Sequence, residues 1–175
     1  MDTTLRPGTP DDAVTISALA IQVFLDTYTV QGIRPDMARE ALREYAAEAF
    51  DARLREPGRR FVLAERETAL LGFAEVRLAA QPAPAGDIAG AELIRLYVQP
   101  AAQGLGVGRR LIRAAEALAA EARMDALWLT AFDGNHRALA FYAREGYADI
   151  GATTYSFEGN TYGNRVLARD LRQPL

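Results

Sequence analysis

The chain has no cysteine among its 175 residues. Disulfides, thiolate nucleophiles and zinc–cysteine sites are thereby excluded. A single histidine, His136, leaves no second imidazole for a histidine cluster, so no metal is expected. A surplus of positive charge is missing as well. The formal net charge is −3 and the isoelectric point about 5.3, whereas nucleic-acid binding calls for a basic face. No stretch approaches the roughly 18 uninterrupted apolar residues of a membrane helix. The amino terminus carries Asp2 and two prolines in place of a basic segment followed by an apolar run. The expectation is a cytoplasmic protein with neither nucleic acid nor membrane as partner.

What is present is the composition of a globular domain, 50% hydrophobic and 25% charged, long enough to bury a sizeable core. A single domain over residues 1–175 is expected. Val14, Ile16, Leu19, Val23, Phe24 and Tyr28 recur at helical spacing, entered through Thr9, Pro10 and Asp11. A second helical pattern runs from Pro35 to Leu54, after the Gln31-Gly32 break. The period then changes to that of strands around Phe61–Ala64 and over Leu70–Leu78, with a hairpin turn at Arg66-Glu67-Thr68. The Pro/Gly/Ala-rich stretch 81–91 reads as an exposed loop. A strand over 91–98 feeds a glycine turn and a helix from Gly106 to Arg123, and a buried-type strand follows over 125–132. A short helix stops at Gly146, a left-handed cap. The two final strands meet at a turn, Glu158-Gly159-Asn160. This order implies a mixed α/β sheet with helices on both faces.

The turn is the most informative stretch. "QGLGVGRRL", residues 103–111, fits neither a dinucleotide fingerprint, since Arg109 stands where the third glycine belongs, nor a P-loop, since no lysine is in register. Two readings remain open on spacing alone. Backbone amides could converge on an anion at a positive helix end, or the glycines could merely relieve a tight strand-to-helix bend.

Together with its flanks, "LYVQPAAQGLGVGRRLIRAAEAL" resembles the acyl-CoA-binding motif of the GNAT superfamily of N-acetyltransferases. The downstream "FDGNHRALAFYAREGY" is similar to the superfamily's second motif, an Asn before a short helix bearing Phe-Tyr, then Gly and an aromatic. The resemblance implies a single-domain GNAT-like fold with a mixed, mostly antiparallel sheet flanked by helices on both faces. It implies acetyl-CoA as cosubstrate and a primary amine of a small, polyamine-like molecule or a peptide as acceptor, attacked directly in a ternary complex. The alternative is an acyl-CoA-binding regulatory or interaction domain without turnover.

Residue by residue, the resemblance assigns Gln103, Gly104, Leu105, Gly106, Val107, Gly108 and Arg109 to the coenzyme A diphosphate. The backbones of Leu96, Tyr97 and Val98 would serve the pantetheine arm and the thioester oxygen, where a preplaced N–H donor is worth ~10²–10³ in rate. Asn135 would bond the pantetheine arm or cap its helix. Tyr142 is nominated to assist the departing thiolate. A free Tyr titrates near ~10 and a thiol near ~8.5, so complete transfer from an unperturbed Tyr is uphill by about 2 kcal/mol, and hydrogen bonding is its natural role. The acceptor ammonium must lose a proton; Glu92 and Glu75 are the candidate bases. Phe24, Tyr28, Gln31, Tyr45, Tyr155 and Tyr162 are the candidate acceptor-pocket residues, and the terminal strands could pair with a second copy in a homodimer.

Overall fold

A computed structural model describes residues 2–157 and 159–172; Glu158, expected in the last turn, lies outside the described residues. Among the described residues seven strands and five α-helices follow one another in the order β1 (Thr4–Pro7), α1 (Ala13–Tyr28), α2 (Pro35–Glu44), α3 (Ala47–Arg55), β2 (Arg59–Arg66), β3 (Ala69–Arg77), β4 (Ala91–Val98), α4 (Val107–Glu121), β5 (Ala126–Phe132), α5 (His136–Arg144), β6 (Ala148–Phe157) and β7 (Asn160–Asp170). The strands form one mostly antiparallel sheet in the order β1-β2-β3-β4-β5-β7-β6, flanked by the helices. The chain divides into two compact units, Met1–Glu75 with Arg95–Ala115, and Val76–Ile94 with Glu116–Leu175. Among the described residues no helix is long and apolar enough to cross a membrane.

In the first unit the sequence pattern misses β1, which is four residues long with both ends exposed and carries no alternating apolar signal. Pairing makes it a strand, with Thr4 opposite Glu65 and Pro7 opposite Val62 in antiparallel register on β2. Arg6 locks the edge. Its guanidinium reaches Asp12 and Glu65, each at 2.6 Å, and this hydrogen bond holds the Asp12 carboxyl down at about 2. A 3₁₀ turn, Pro10–Asp12, precedes α1, and the Asp12 carboxylate accepts from the Thr9 amide at 2.8 Å and its hydroxyl at 3.0 Å.

The helix expected over residues 35–54 is two helices, broken at Tyr45-Ala46. Side-chain periodicity cannot see that break, because tertiary contacts make it: Tyr45 turns inward and is 6% exposed, and the buried Ser17 hydroxyl donates to its carbonyl at 2.6 Å. Phe50, Phe61 and Phe73 pack edge-on or stacked with centroids 5.9–6.3 Å apart, forming the aromatic centre of this unit. β2 and β3 carry consecutive buried residues, Phe61–Ala64 and Leu71–Val76, as strands covered on both faces do.

In the second unit β5 pairs with β7 along its length, from Ala126 opposite Asp170 to Phe132 opposite Asn164. β6 pairs antiparallel with β7, with a register shift between Asp149 and Gly151. The parallel ladder between β4 and β5 is short and consists of Ala91 opposite Leu127 and Glu92 opposite Trp128. Gly146 caps α5 at φ +88°, as the sequence implies, and the Tyr147 amide returns to the Tyr142 carbonyl at 3.0 Å.

Candidate active site

The glycine turn in the first unit is built from its anchors outward. Where β4 ends, the Gln99 amide donates to Leu71 of β3 at 2.8 Å, and a 3₁₀ turn over Pro100–Ala102 redirects the chain. The Gln103 side-chain amide donates back to the Val98 carbonyl at 3.0 Å, tying the turn to the strand it leaves. Gly104 and Gly106 then take left-handed backbone at φ +80° and +81°, a region that disfavours residues bearing a Cβ. A Cβ built on either glycine meets nothing within 4 Å. Crowding therefore does not explain these glycines. Left-handed backbone and open space do, and Gly104, Leu105 and Gly106 are all exposed.

The turn opens into α4, whose first residue, Val107, is buried and whose Arg110 amide bonds the Gly106 carbonyl at 3.1 Å. The amides of α4 before Arg110 lie ahead of the helix's own ladder, so the exposed loop leads into N–H groups at a positive helix end. This donor set fits a diphosphate. Arg109 is exposed beside it, while the Arg110 guanidinium donates to the Thr3 carbonyl.

β4 supplies the remaining candidates of this unit. Leu96 and Val98 are half-buried, and the ladder with β5 does not reach them. The Tyr97 hydroxyl lies 3.0 Å from that of Tyr45. Burial pushes the Tyr45 phenol up to about 12 and Tyr97 well above its ordinary value, so both stay protonated. β3 approaches β4 so closely that a Cβ on Gly72 would stand 2.6 Å from the Tyr97 carbonyl oxygen.

Glu75, one of the two carboxylates considered as a base, is fully buried and accepts from Arg59 and Arg95, each at 2.5 Å. Arg95 also reaches Glu44 at 2.5 Å, and Arg53 holds Glu44 at 2.6 Å. The Arg95 guanidinium lies 5.3 Å from the Tyr45 ring centroid. Each Glu75 carboxylate oxygen is thus held by its own arginine within a buried network. Sequence reasoning missed Arg95 and Glu44. The signal was an arginine on the same strand face as Leu93 and Tyr97, because a buried guanidinium demands carboxylates. Of the residues considered for an acceptor pocket, the Phe24 ring packs tilted against those of Tyr28 and Tyr45, with centroids 4.9 and 5.3 Å away, and Gln31 is exposed.

The second unit holds Glu92, Asn135 and Tyr142. Glu92 accepts from Arg77 at 2.9 Å and lines a cavity of about 330 Å³ together with Arg77, Gln81, Trp128, Thr130 and Tyr155. The Asn135 side-chain oxygen accepts from the Ala138 amide at 3.0 Å, so the capping role is filled. Tyr142 is 8% exposed, with its ring centroid 5.3 Å from that of Phe141 and 5.8 Å from that of Tyr147. Tyr147 in turn donates to Glu116 at 3.2 Å, and Arg169 holds Glu116 at 3.0 Å. A chain of buried polar contacts thus fixes the surroundings of Tyr142. Tyr155 is exposed at the cavity, and Tyr162 packs on Phe132 at 6.2 Å. Among the described residues no group of three or more His, Cys, Asp or Glu side chains could hold a metal ion.

Comparison with known proteins bears on this arrangement. The acetyltransferase (GNAT) family model matches residues 24–147. Similar solved structures include a paia N-acetyltransferase from Thermoplasma acidophilum in complex with coenzyme A, at 18% identity and TM-score 0.79, covering 97% of this chain and 99% of that one. A GCN5-related N-acetyltransferase from Rhodopseudomonas palustris matches at 26% identity and TM-score 0.74, covering 97% and 96%. A third, yncA of Salmonella typhimurium with acetyl-CoA, matches at 17% identity and TM-score 0.67, covering 97% and 94%. No curated protein matches the sequence significantly. The chain belongs to the GNAT acetyltransferase family, and is an acyltransferase.

Proposed function

We propose that the chain moves an acetyl group from acetyl-CoA to the primary amine of a small molecule or a peptide, by direct attack while both are bound. The observation that carries this reading is the open glycine turn: two left-handed glycines with empty space at their Cβ positions, at the exposed start of a 15-residue helix. Acetyl-CoA supplies the activated acyl group and a thiolate leaving group. Main-chain amides from Gly104 to Arg109 hold the diphosphate, and Gln103 keeps them in place by its bond to Val98. The backbones of Leu96, Tyr97 and Val98 serve the pantetheine arm in the manner of an added strand, which the short β4–β5 ladder favours. A β4 amide donates to the oxygen that gains charge during attack.

Tyr142 hydrogen-bonds the departing sulfur, with its ring locked by Phe141 and Tyr147. Glu92, whose carboxylate lines a cavity, holds the incoming ammonium and passes its proton to water; Glu75 is committed to Arg59 and Arg95. The sequence contains no lysine, so any ε-amine acceptor comes from outside the chain. The test combines calorimetry with coenzyme A and thiol release from acetyl-CoA in the presence of an amine panel. Binding with amine-dependent thiol release is expected. Binding without release from any amine would leave a coenzyme A-binding domain and overturn the transferase reading.

A further inference from the structure

The second unit's cavity carries more information than the presence of one carboxylate. Its lining holds one negative and one positive side chain, Glu92 and Arg77, among uncharged polar groups that include Gln81, Thr130 and Asn164. Among the described residues no other carboxylate or guanidinium lines it. The two charges meet at Arg77 Nη1 and Glu92 Oε2, 2.9 Å apart, with the Arg77 side chain 42% and the Glu92 side chain 19% exposed. An ion pair this open to water is weak and exchanges partners readily. The remaining guanidinium N–H groups stay available for a planar anion.

These charges discriminate between kinds of amine. A polycation entering the cavity would bring its first ammonium to Glu92 and a further positive charge beside Arg77. An amine that also carries a carboxylate brings a partner for each of the two charges: its ammonium to Glu92, and its carboxylate to Arg77. The two protein charges lie within hydrogen-bond distance of each other, which matches an amine and a carboxylate separated by one carbon. A peptide N-terminus offers no carboxylate at that spacing. We infer that the acceptor is a free α-amino acid or a close analogue, bound as a zwitterion between Glu92 and Arg77, with Arg77 as the residue that selects it. This inference rests on the amine-acetylation reading and narrows it.

The experiment compares kcat/KM, by thiol release at fixed acetyl-CoA, for matched pairs: lysine and cadaverine, phenylalanine and phenethylamine, methionine and 3-(methylthio)propylamine. The amide of each amino acid serves as a third member that keeps the α-amine and removes the anion. The expected result is a preference of at least tenfold for one or more amino acids over both neutral-tailed partners. In Arg77→Gln that preference falls at least tenfold, and Arg77→Lys restores part of it. A merely structural role for Arg77 would lower all three members alike and would overturn the inference. Turnover of diamines with no turnover of amino acids would overturn it while leaving acetyl transfer standing. No thiol release with any acceptor would overturn both.

Discussion

Gly106 allows the cost of folding and the cost of cofactor binding to be measured on one residue. Its φ of +81° and the empty space around its built Cβ mean that alanine meets no steric obstacle, only left-handed backbone. That conformation costs a non-glycine residue about 1–2 kcal/mol. For a chain of this size each kcal/mol moves Tm by about 2–4 °C, so Gly106→Ala should lower Tm by about 2–8 °C. Asparagine visits left-handed backbone more readily and should lower it less. Glutamate incurs a backbone cost like that of alanine and adds a charge where the diphosphate is to sit. Two like charges about 5 Å apart at an effective dielectric of ~20 repel by about 3 kcal/mol. That corresponds to a loss of affinity of about 100-fold. Gly106→Gln has the same bulk without the charge. Melting curves and calorimetry with coenzyme A on the four variants should therefore show similar stabilities for Gln and Glu but a coenzyme A affinity far lower for Glu. A Glu variant within threefold of the native affinity would refute the diphosphate cradle.

Three further outcomes follow from the same geometry. Tyr142→Phe keeps the ring contacts and removes the hydroxyl, so kcat should fall about tenfold or more while coenzyme A affinity stays within twofold; unchanged kcat would remove Tyr142 from the reaction. Arg95→Met leaves Glu75 and Glu44 with one ion-pair partner each, Arg59 and Arg53. The expected loss is about 3 kcal/mol, the low end for a broken buried pair, and an unchanged melting temperature would contradict the network. In acid, Asp12 matters because its folded-state value is about 2 against an ordinary 3.8, held down chiefly by Arg6. A lowered carboxyl stabilises above its unfolded value and loses that contribution as pH falls through the folded one. Melting followed from pH 6 to 2 should therefore show a decline between about pH 4 and 2. Asp12→Asn should flatten it, and superimposable profiles would contradict the assignment.

Much of this protein was legible in its sequence because the decisive signals are local. A glycine that must adopt positive φ, as Gly104, Gly106 and Gly146 do, is visible as a residue type at a turn, and helix α4 beyond the glycine turn follows from spacing alone. Asn135 as a cap is equally local, one side chain meeting an amide three residues on. The tertiary structure decided what depends on partners distant in the chain. Thr4–Pro7 became a strand through its partners on β2, 55 or more residues away. The helix pattern over 35–54 broke because Tyr45 found a buried site and Ser17 accommodated its carbonyl. Glu75 and Glu92 look alike as acidic residues on strands. Folding buried one between two arginines and left the other at a cavity beside one, because the charge a carboxylate can exchange depends on which cations the fold brings to it.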